Sequence, residues 1–195
     1  NEFETEQGGV LNLDAQGYIN AGKGFAANQA GACHGGQGGP STVPSQMCSC
    51  YDDFRSPSLP GSGGENSNGG GVLKIQARSS IVHDGLISAN GESGSGWSGG
   101  GSGGSILLDA TTMQITGLIQ AIGGSGSTAT QGGTTISGGG GGGGLIALTY
   151  QTGYITGNIT TAGGKGSTNA QTGAAGILYV KNSTYSKVQV NTNKV

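Results

Sequence analysis

The chain has 195 residues, of which 45 are glycine, with 32% hydrophobic and 9% charged residues and a formal net charge of −2. Lys and Arg (8) do not outnumber Asp and Glu (10), so no basic stripe is present to neutralise phosphates, which excludes nucleic acid as a partner, and no apolar run is long enough for membrane insertion as a helix. Glycine at this level without a period belongs to disordered linkers, but such linkers usually carry a high net charge; the low charge points to a chain that pairs its own backbone.

A period is present. After an extended N-terminal arm over residues 1–7 (NEFETEQ), in which Phe3 is a candidate interaction residue, one pattern recurs five times. It reads GGVLNLDAQGYINAGKG from Gly8, GGVLKIQARSSIVHDGLISANGESG from Gly70, GGSILLDATTMQITGLIQAIGGSG from Gly103, GGLIALTYQTGYITGNITTAGGKG from Gly143 and a degenerate AGILYVKNSTYSKVQV from Ala175. Within each copy apolar residues alternate, the mark of a strand with one buried face. Aligned on the second glycine, one aliphatic column holds Leu11, Leu73, Ile106, Ile146 and Leu178, and the next holds Leu13, Ile75, Leu108, Leu148 and Val180. Asn12, Lys74, Leu107, Ala147 and Tyr179 lie between them, a mixed set suited to an outer face. A later Gly-x-Ile element places Ile19, Ile87, Ile119 and Ile159 after Gly17, Gly85, Gly117 and Gly157.

Stacked short strands with the same residue type above one another predict an all-β, Gly-rich, right-handed parallel β-helix (β-solenoid) of about five rungs, forming a single domain over residues 1–195. Each rung is expected to carry about three strands, in the second copy Val72 to Ala77, Ile81 to His83 and Leu86 to Asn90. Glycines are expected at corners of positive φ and in loops that leave the stack at residues 91–103, 123–143 and 163–176, with a long Cys-bearing insertion at 25–69 and a C-terminal strand or arm at 183–195. A bundle of polyproline II-like glycine helices suits the run Gly138 to Gly144, but it leaves the period-two columns unexplained.

The insertion carries HGGQGGPSTVPSQMCSCYDDFRSPSLPGSGG, with His34, Gly35, Gly36, Gly38, Gly39, Tyr51, Asp53, Pro57, Gly61, Gly63 and Gly64 in an HGGxGG, Tyr-Gly-Asp, Pro, GSGG order, followed by GGGxxxI and DGxISANG elements. This resembles glycine-rich repeat proteins of the secreted or cell-surface type found among microbial eukaryotes and bacteria, and the resemblance covers most of the chain. It departs at Asp52, which stands where that pattern has glycine. The resemblance implies a parallel β-helix on the outside of a cell and brings no catalytic activity with it.

Cys33, Cys48 and Cys50 all lie in the insertion, where a staple would hold a segment with little core of its own. A Cys33 bond to either Cys48 or Cys50 is expected, leaving the third thiol free or bonded to another chain. Zinc is disfavoured because Cys-x-Cys beside a Cys-His pair lacks the usual spacing, and no cofactor is expected. Asn158-Ile159-Thr160 and Asn182-Ser183-Thr184 are glycosylation sequons, which makes Asn158 and Asn182 candidate acceptors.

Enzyme motifs do not gather. Gly94 to Gly99 spells GxGxxG, and GYINAGKG nearly spells a phosphate loop, but no helix follows either, and Gly24 stands where a magnesium ligand is required. The GGSGS and GGKGS stretches lack the Asp of calcium-binding repeats. His83-Asp84 is more simply a turn pair than an acid and base; Asp14 and Asp109 align, but Gln76 and Thr149 interrupt any acidic stripe. What remains is the ends: a parallel stack leaves unpaired edges, and neither terminus offers a capping helix. Phe3 at one end and Val188 and Val190 at the other suit strand addition to a second copy, and Trp97 is a further interaction candidate. The expected function is an extracellular structural protein that assembles head to tail into a homo-oligomer, filament or matrix. A surface adhesin binding glycans is the alternative, and a polysaccharide-cleaving enzyme a more distant one.

Overall fold

The computed structural model describes residues 1–190; residues 191–195 of the expected C-terminal arm lie outside the described residues. The described chain is all-β. Its strands are β1 (Glu2–Thr5), β2 (Val10–Asn12), β3 (Val72–His83), β4 (Leu86–Ser88), β5 (Ser105–Ile115), β6 (Leu118–Gln120), β7 (Thr128–Gln131), β8 (Thr134–Ser137), β9 (Leu145–Ile155), β10 (Asn158–Thr160), β11 (Ile177–Lys181) and β12 (Ser186–Val190). They form a six-stranded sheet in the order β1-β3-β5-β9-β11-β12, a four-stranded sheet in the order β10-β6-β4-β2, and the hairpin β7-β8.

The repeats stack in register. Leu73, Ile106, Ile146 and Leu178 form one column of the six-stranded sheet, Ile75, Leu108, Leu148 and Val180 another, and Ile87, Ile119 and Ile159 a column of the four-stranded sheet. These columns face one another across a single core in which Ile87, Ile106, Leu108, Ile119, Ile146 and Leu148 are fully buried. At about 1.5–3 kcal/mol per buried aliphatic side chain, this core is what fixes the register. Each central repeat therefore supplies one tier: a long strand in one sheet and a short strand in the other.

The five-rung parallel β-helix does not form, and four findings correct that expectation. First, the sheets are mixed: β12 runs antiparallel to β11, and β7-β8 is an antiparallel hairpin. Second, the two strands expected at Val72 to Ala77 and Ile81 to His83 are one continuous strand, which absorbs an irregularity between Ala77 and Ser80 where its register against β5 shifts. Third, the first copy is displaced. Leu11 pairs with Ile87 rather than Leu73, while Phe3 in the supposed arm pairs with Ile81, and Ile19 is 70% exposed. A turn of four residues, Glu6 to Gly9, replaces the Asp84-Gly85 pair in this copy and hides the alignment.

Fourth, the glycine-rich segments are not loops. The run Gly138–Gly144 is buried throughout, and its N–H groups address three segments in strict rotation. Gly138, Gly141 and Gly144 donate to the carbonyls of Ser127, Gly124 and Ala121; Gly139 and Gly142 donate to Gln29 and Ala32; Gly140 and Gly143 donate to Gln171 and Ala174. Its carbonyls accept with the same period: Gly138 and Gly141 from Ser167 and Gly164, Gly139 and Gly142 from Gly100 and Gly103, Gly140 and Gly143 from Gly39 and Gly36. A three-residue period is that of a polyproline II helix, which makes no internal hydrogen bonds and must satisfy its backbone outside itself. The glycines here serve close approach, not positive φ, which occurs elsewhere, as at Gly132 and Gly133 in the β7-β8 turn. The polyproline II-like bundle that the period-two columns argued against thus stands beside the strands, each explaining a different part of the chain.

The insertion 25–69 contains no named strand. Its first part joins the glycine bundle. Its second part straps the outer face of the six-stranded sheet, where Phe54 meets Tyr179 edge-on at 5.8 Å and packs with Leu107 and Ala147. The mixed column expected to face solvent is therefore largely covered.

Candidate assembly interface

Cys33 and Cys48 are disulfide-bonded, tying the bundle to the strap. Cys50 is free and exposed, and partial enclosure of its sulfur pushes the thiol's pKa up, which lowers its reactivity at neutral pH. Below the strap, the fully buried His34 donates from Nδ1 to the Gly103 carbonyl at 2.7 Å and stacks on Tyr51 at 4.6 Å between ring centroids. Its Nε2 lies 3.7 Å from Asp52 Oδ2, an electrostatic contact too long for a hydrogen bond. Tyr51 donates its hydroxyl to the Pro60 carbonyl at 2.6 Å, and burial pushes its pKa up. Asp52 takes φ 75°, and its carboxylate accepts the Ser58 and Leu59 amides, each at 2.8 Å, closing the turn by side-chain bonding. Burial raises the Asp52 pKa, but His34 and the Leu59, Ser58 and Asp53 amides outweigh it and hold the carboxyl well below the usual aspartate range. These groups are spent on holding the strap.

His83 is likewise structural. Its Nε2 faces the Leu118 carbonyl at 3.2 Å and so carries the proton, which leaves Nδ1 to accept from the Thr5 hydroxyl at 2.6 Å. Burial lowers its pKa against the Leu118 bond and Asp84. Asp84 accepts from Thr116 at 2.7 Å, and Asp14 accepts from the Asn90 amide, out of line with Asp109. Among the described residues no group of three or more His, Cys, Asp or Glu could hold a metal ion.

The remaining candidates other than Trp97 lie at or near sheet edges. Phe3 is half-buried in the edge strand β1, packed against the core. Val188 and Val190 are 50% and 58% exposed on β12, at the opposite edge of the same sheet. Asn158 is exposed on the edge strand β10. Asn182 follows β11, and its Oδ1 accepts from the Thr184 amide and hydroxyl and from the Tyr185 amide. Trp97 is half-buried in a turn of the glycine-rich region, apart from both edges.

At the lower end β1 pairs with Ser80–His83, so that among the described residues the Val72–Ala77 half of β3 has a strand, β5, on one side only; β2 stands at the end of the four-stranded sheet. At the upper end β11 pairs with Leu145–Thr149 and Ser183 donates its hydroxyl to the Gln151 carbonyl, so that among the described residues no strand pairs with Thr152–Ile155 on this side; β10 stands at the end of the described four-stranded sheet. Burial follows: Ile106 and Leu108 are fully enclosed, whereas Leu73 and Ile75 in the same columns are only half-buried. An open groove of about 570 Å³ crosses the outer face at the strand irregularity, lined by Gln76, Arg78, Asp109, Tyr150, Gln151 and Lys181. The sequence placed Gln76, Asp109 and Thr149 at one position of the repeat but not on the floor of a groove, which depends on the strand irregularity. No family model, curated protein or solved structure matches this chain.

Proposed function

We propose that the protein is a structural component that associates head to tail through the edges of its six-stranded sheet, forming filaments or a surface matrix. The observation that supports this reading is that, among the described residues, the Val72–Ala77 part of β3 has no strand on its β1 side and the Thr152–Ile155 part of β9 has none on its β11 side. Unpaired N–H and C=O groups on half-buried apolar strands are templates for a second chain. A contact between opposite ends of a molecule does not close on itself and propagates. The disulfide fits an oxidising compartment, and an extracellular or cell-surface location follows from it in this reading. Among the described residues no helix is long and apolar enough to cross a membrane. Asn158, exposed beside the end strand, is the better glycan acceptor of the two sequons, because the Asn182 side chain already closes its own turn. Electron microscopy of the full chain, without reductant and over a concentration series, tests the reading: filaments are expected, and monomers at every concentration would overturn it.

A second reading, a glycan-binding surface module, draws on the groove, whose Arg78, Asp109, Gln76, Gln151 and Lys181 offer donors and acceptors across successive tiers. Tyr51 and Phe54, aromatics that would otherwise suit sugar stacking, are engaged internally by Pro60 and Tyr179.

A further inference from the structure

Resting on the glycan-binding reading of the groove, and independent of head-to-tail association, we infer that the groove holds an extended, carboxylate-bearing sugar chain laid across the strands, with Arg78 and Lys181 on its carboxylates.

The floor of the groove follows from the register. Gln76, Asp109, Thr149 and Lys181 are paired neighbours on β3, β5, β9 and β11, so they form one row across four strands. Ala77, Ala110 and Tyr150, one position further along, belong to the core. Thr111 and Gln151 come next on the outer side, between the paired positions Ala110–Tyr150 and Thr112–Thr152. Arg78 joins them from the irregular stretch of β3, where Ala77 to Ser80 spans one residue more than Ala110 to Thr112 on β5. The Thr111 hydroxyl donates to the Arg78 carbonyl at 2.8 Å and fixes that stretch. The first row spans three strand spacings, ~14 Å, and the second lies ~7 Å further along the strands. Phe54 of the strap covers the preceding outward row, Leu107, Ala147 and Tyr179, and stops short of these two.

The groove's side chains differ from the molecule's other polar groups in being unspent. Tyr51, Asp52, His83 and Asp84 each close a contact of the fold. Across the groove, Gln76 donates to Asp109 at 3.4 Å, a long bond. Among the described residues neither Arg78 nor Lys181 has a carboxylate within ion-pair distance, and both are exposed.

These groups match a sugar chain. The amides of Gln76 and Gln151 and the hydroxyls of Thr111 and Thr149 can both donate and accept, as sugar hydroxyls do. An extended pyranose chain advances by about one strand spacing per residue, so successive sugars fall on successive strands. A peptide would call for an unpaired strand edge or apolar pockets, whereas this floor is a sheet face whose backbone is already paired. The side chains of the groove carry two cations against the single carboxylate of Asp109, opposite in sign to the net charge of the chain. The planar fork of Arg78 suits a carboxylate at one end, and Lys181 serves a second as a point charge at the other. Asp109, between them, accepts a hydroxyl of a neutral sugar and would repel a third carboxylate, which favours a chain whose acidic and neutral sugars alternate.

Titration calorimetry on the full chain tests this with two probes, a hexasaccharide of alternating glucuronate and N-acetylglucosamine and a neutral N-acetylglucosamine hexasaccharide. The acidic probe should bind, more weakly as salt is added, and the neutral one much less. Arg78→Gln and Lys181→Gln should each weaken the acidic probe about tenfold, while Lys165→Gln, which removes an exposed cation outside the groove, should leave it unchanged. Either groove variant suffices if the other melts below wild type. Equal binding of both probes, indifferent to Arg78 and Lys181 but lost with Gln151→Ala, would overturn the acidic ligand and keep the glycan reading. An equal loss with Lys165→Gln would reduce the effect to bulk charge and overturn the site. No binding of either probe would remove the inference and the glycan reading together.

Discussion

Gly142 has no room for a methyl group: a Cβ there would strike the carbonyl oxygen of Gly36 and the backbone of Gln37 in a neighbouring segment of the bundle. Gly132, at the tip of the β7-β8 turn with φ +59°, would meet nothing within 4 Å. Gly142→Ala should therefore cost about 3 kcal/mol or more by overpacking, and Gly132→Ala only about 1 kcal/mol for a left-handed conformation. Thermal melts of the two variants check this; equal losses would mean that the bundle yields. Asp52 makes a second residue-scale prediction. Its folded-state pKa lies below the unfolded value, so its contribution is complete above the ordinary aspartate range and drains away as pH falls through that range towards the folded value. Asp52→Asn should lower the melting temperature at neutral pH, and the gap from wild type should narrow below about pH 5; a gap independent of pH would deny the carboxylate its part. That the oxygens of Asp52 would bond its own turn was not visible in the sequence, because Ser58 and Leu59 reach it only through the folded strap.

β1 is held by few contacts: four parallel pairs with β3, the packing of Phe3, and the Thr5 hydroxyl on His83. Thr5→Val leaves the buried His83 Nδ1 without its donor, at a cost of about 1–3 kcal/mol. Amide exchange in β1 should then quicken while β5 and β9 keep their protection; unchanged β1 exchange would show that His83 is no clasp. Element by element, the long strands were the most legible, because Ile106, Leu108, Ile146 and Leu148 obey period two and the core rewards that period. The first repeat was misread for a physical reason. Leu11 and Ile19 both follow a glycine by two residues, and only docking on Ile87 decides between them. The β7-β8 hairpin was missed although Gly132-Gly133 between threonine-rich flanks is a strong turn signal, because it lay inside a stretch already read as loop.

At the scale of the whole molecule, two backbone architectures meet along shared glycines. Gly103 hands its amide to Gly142 in the bundle, and two residues later Ser105 begins β5. Side-chain periodicity announces the strands, whereas a polyglycine helix has no side chains to be periodic, so the bundle was legible only as a composition. The sheet edges were legible as a problem, a stack for which the sequence offers no capping helix, whereas the true register of the first copy was not, since it needed the docking of Leu11 on Ile87. The Cys33–Cys48 bond closes a separation of 15 residues, worth about 3 kcal/mol in a chain-entropy account, and fastens strap to bundle. The six neighbours of Gly138–Gly144 come from residues 29–32, 36–39, 100–103, 121–127, 164–167 and 171–174. Almost none of its contacts is local, so loop closure must precede each of them: its final partners emerge from the ribosome after the run itself, and this part of the fold closes from both directions in sequence, slowly, as topologies of high contact order do.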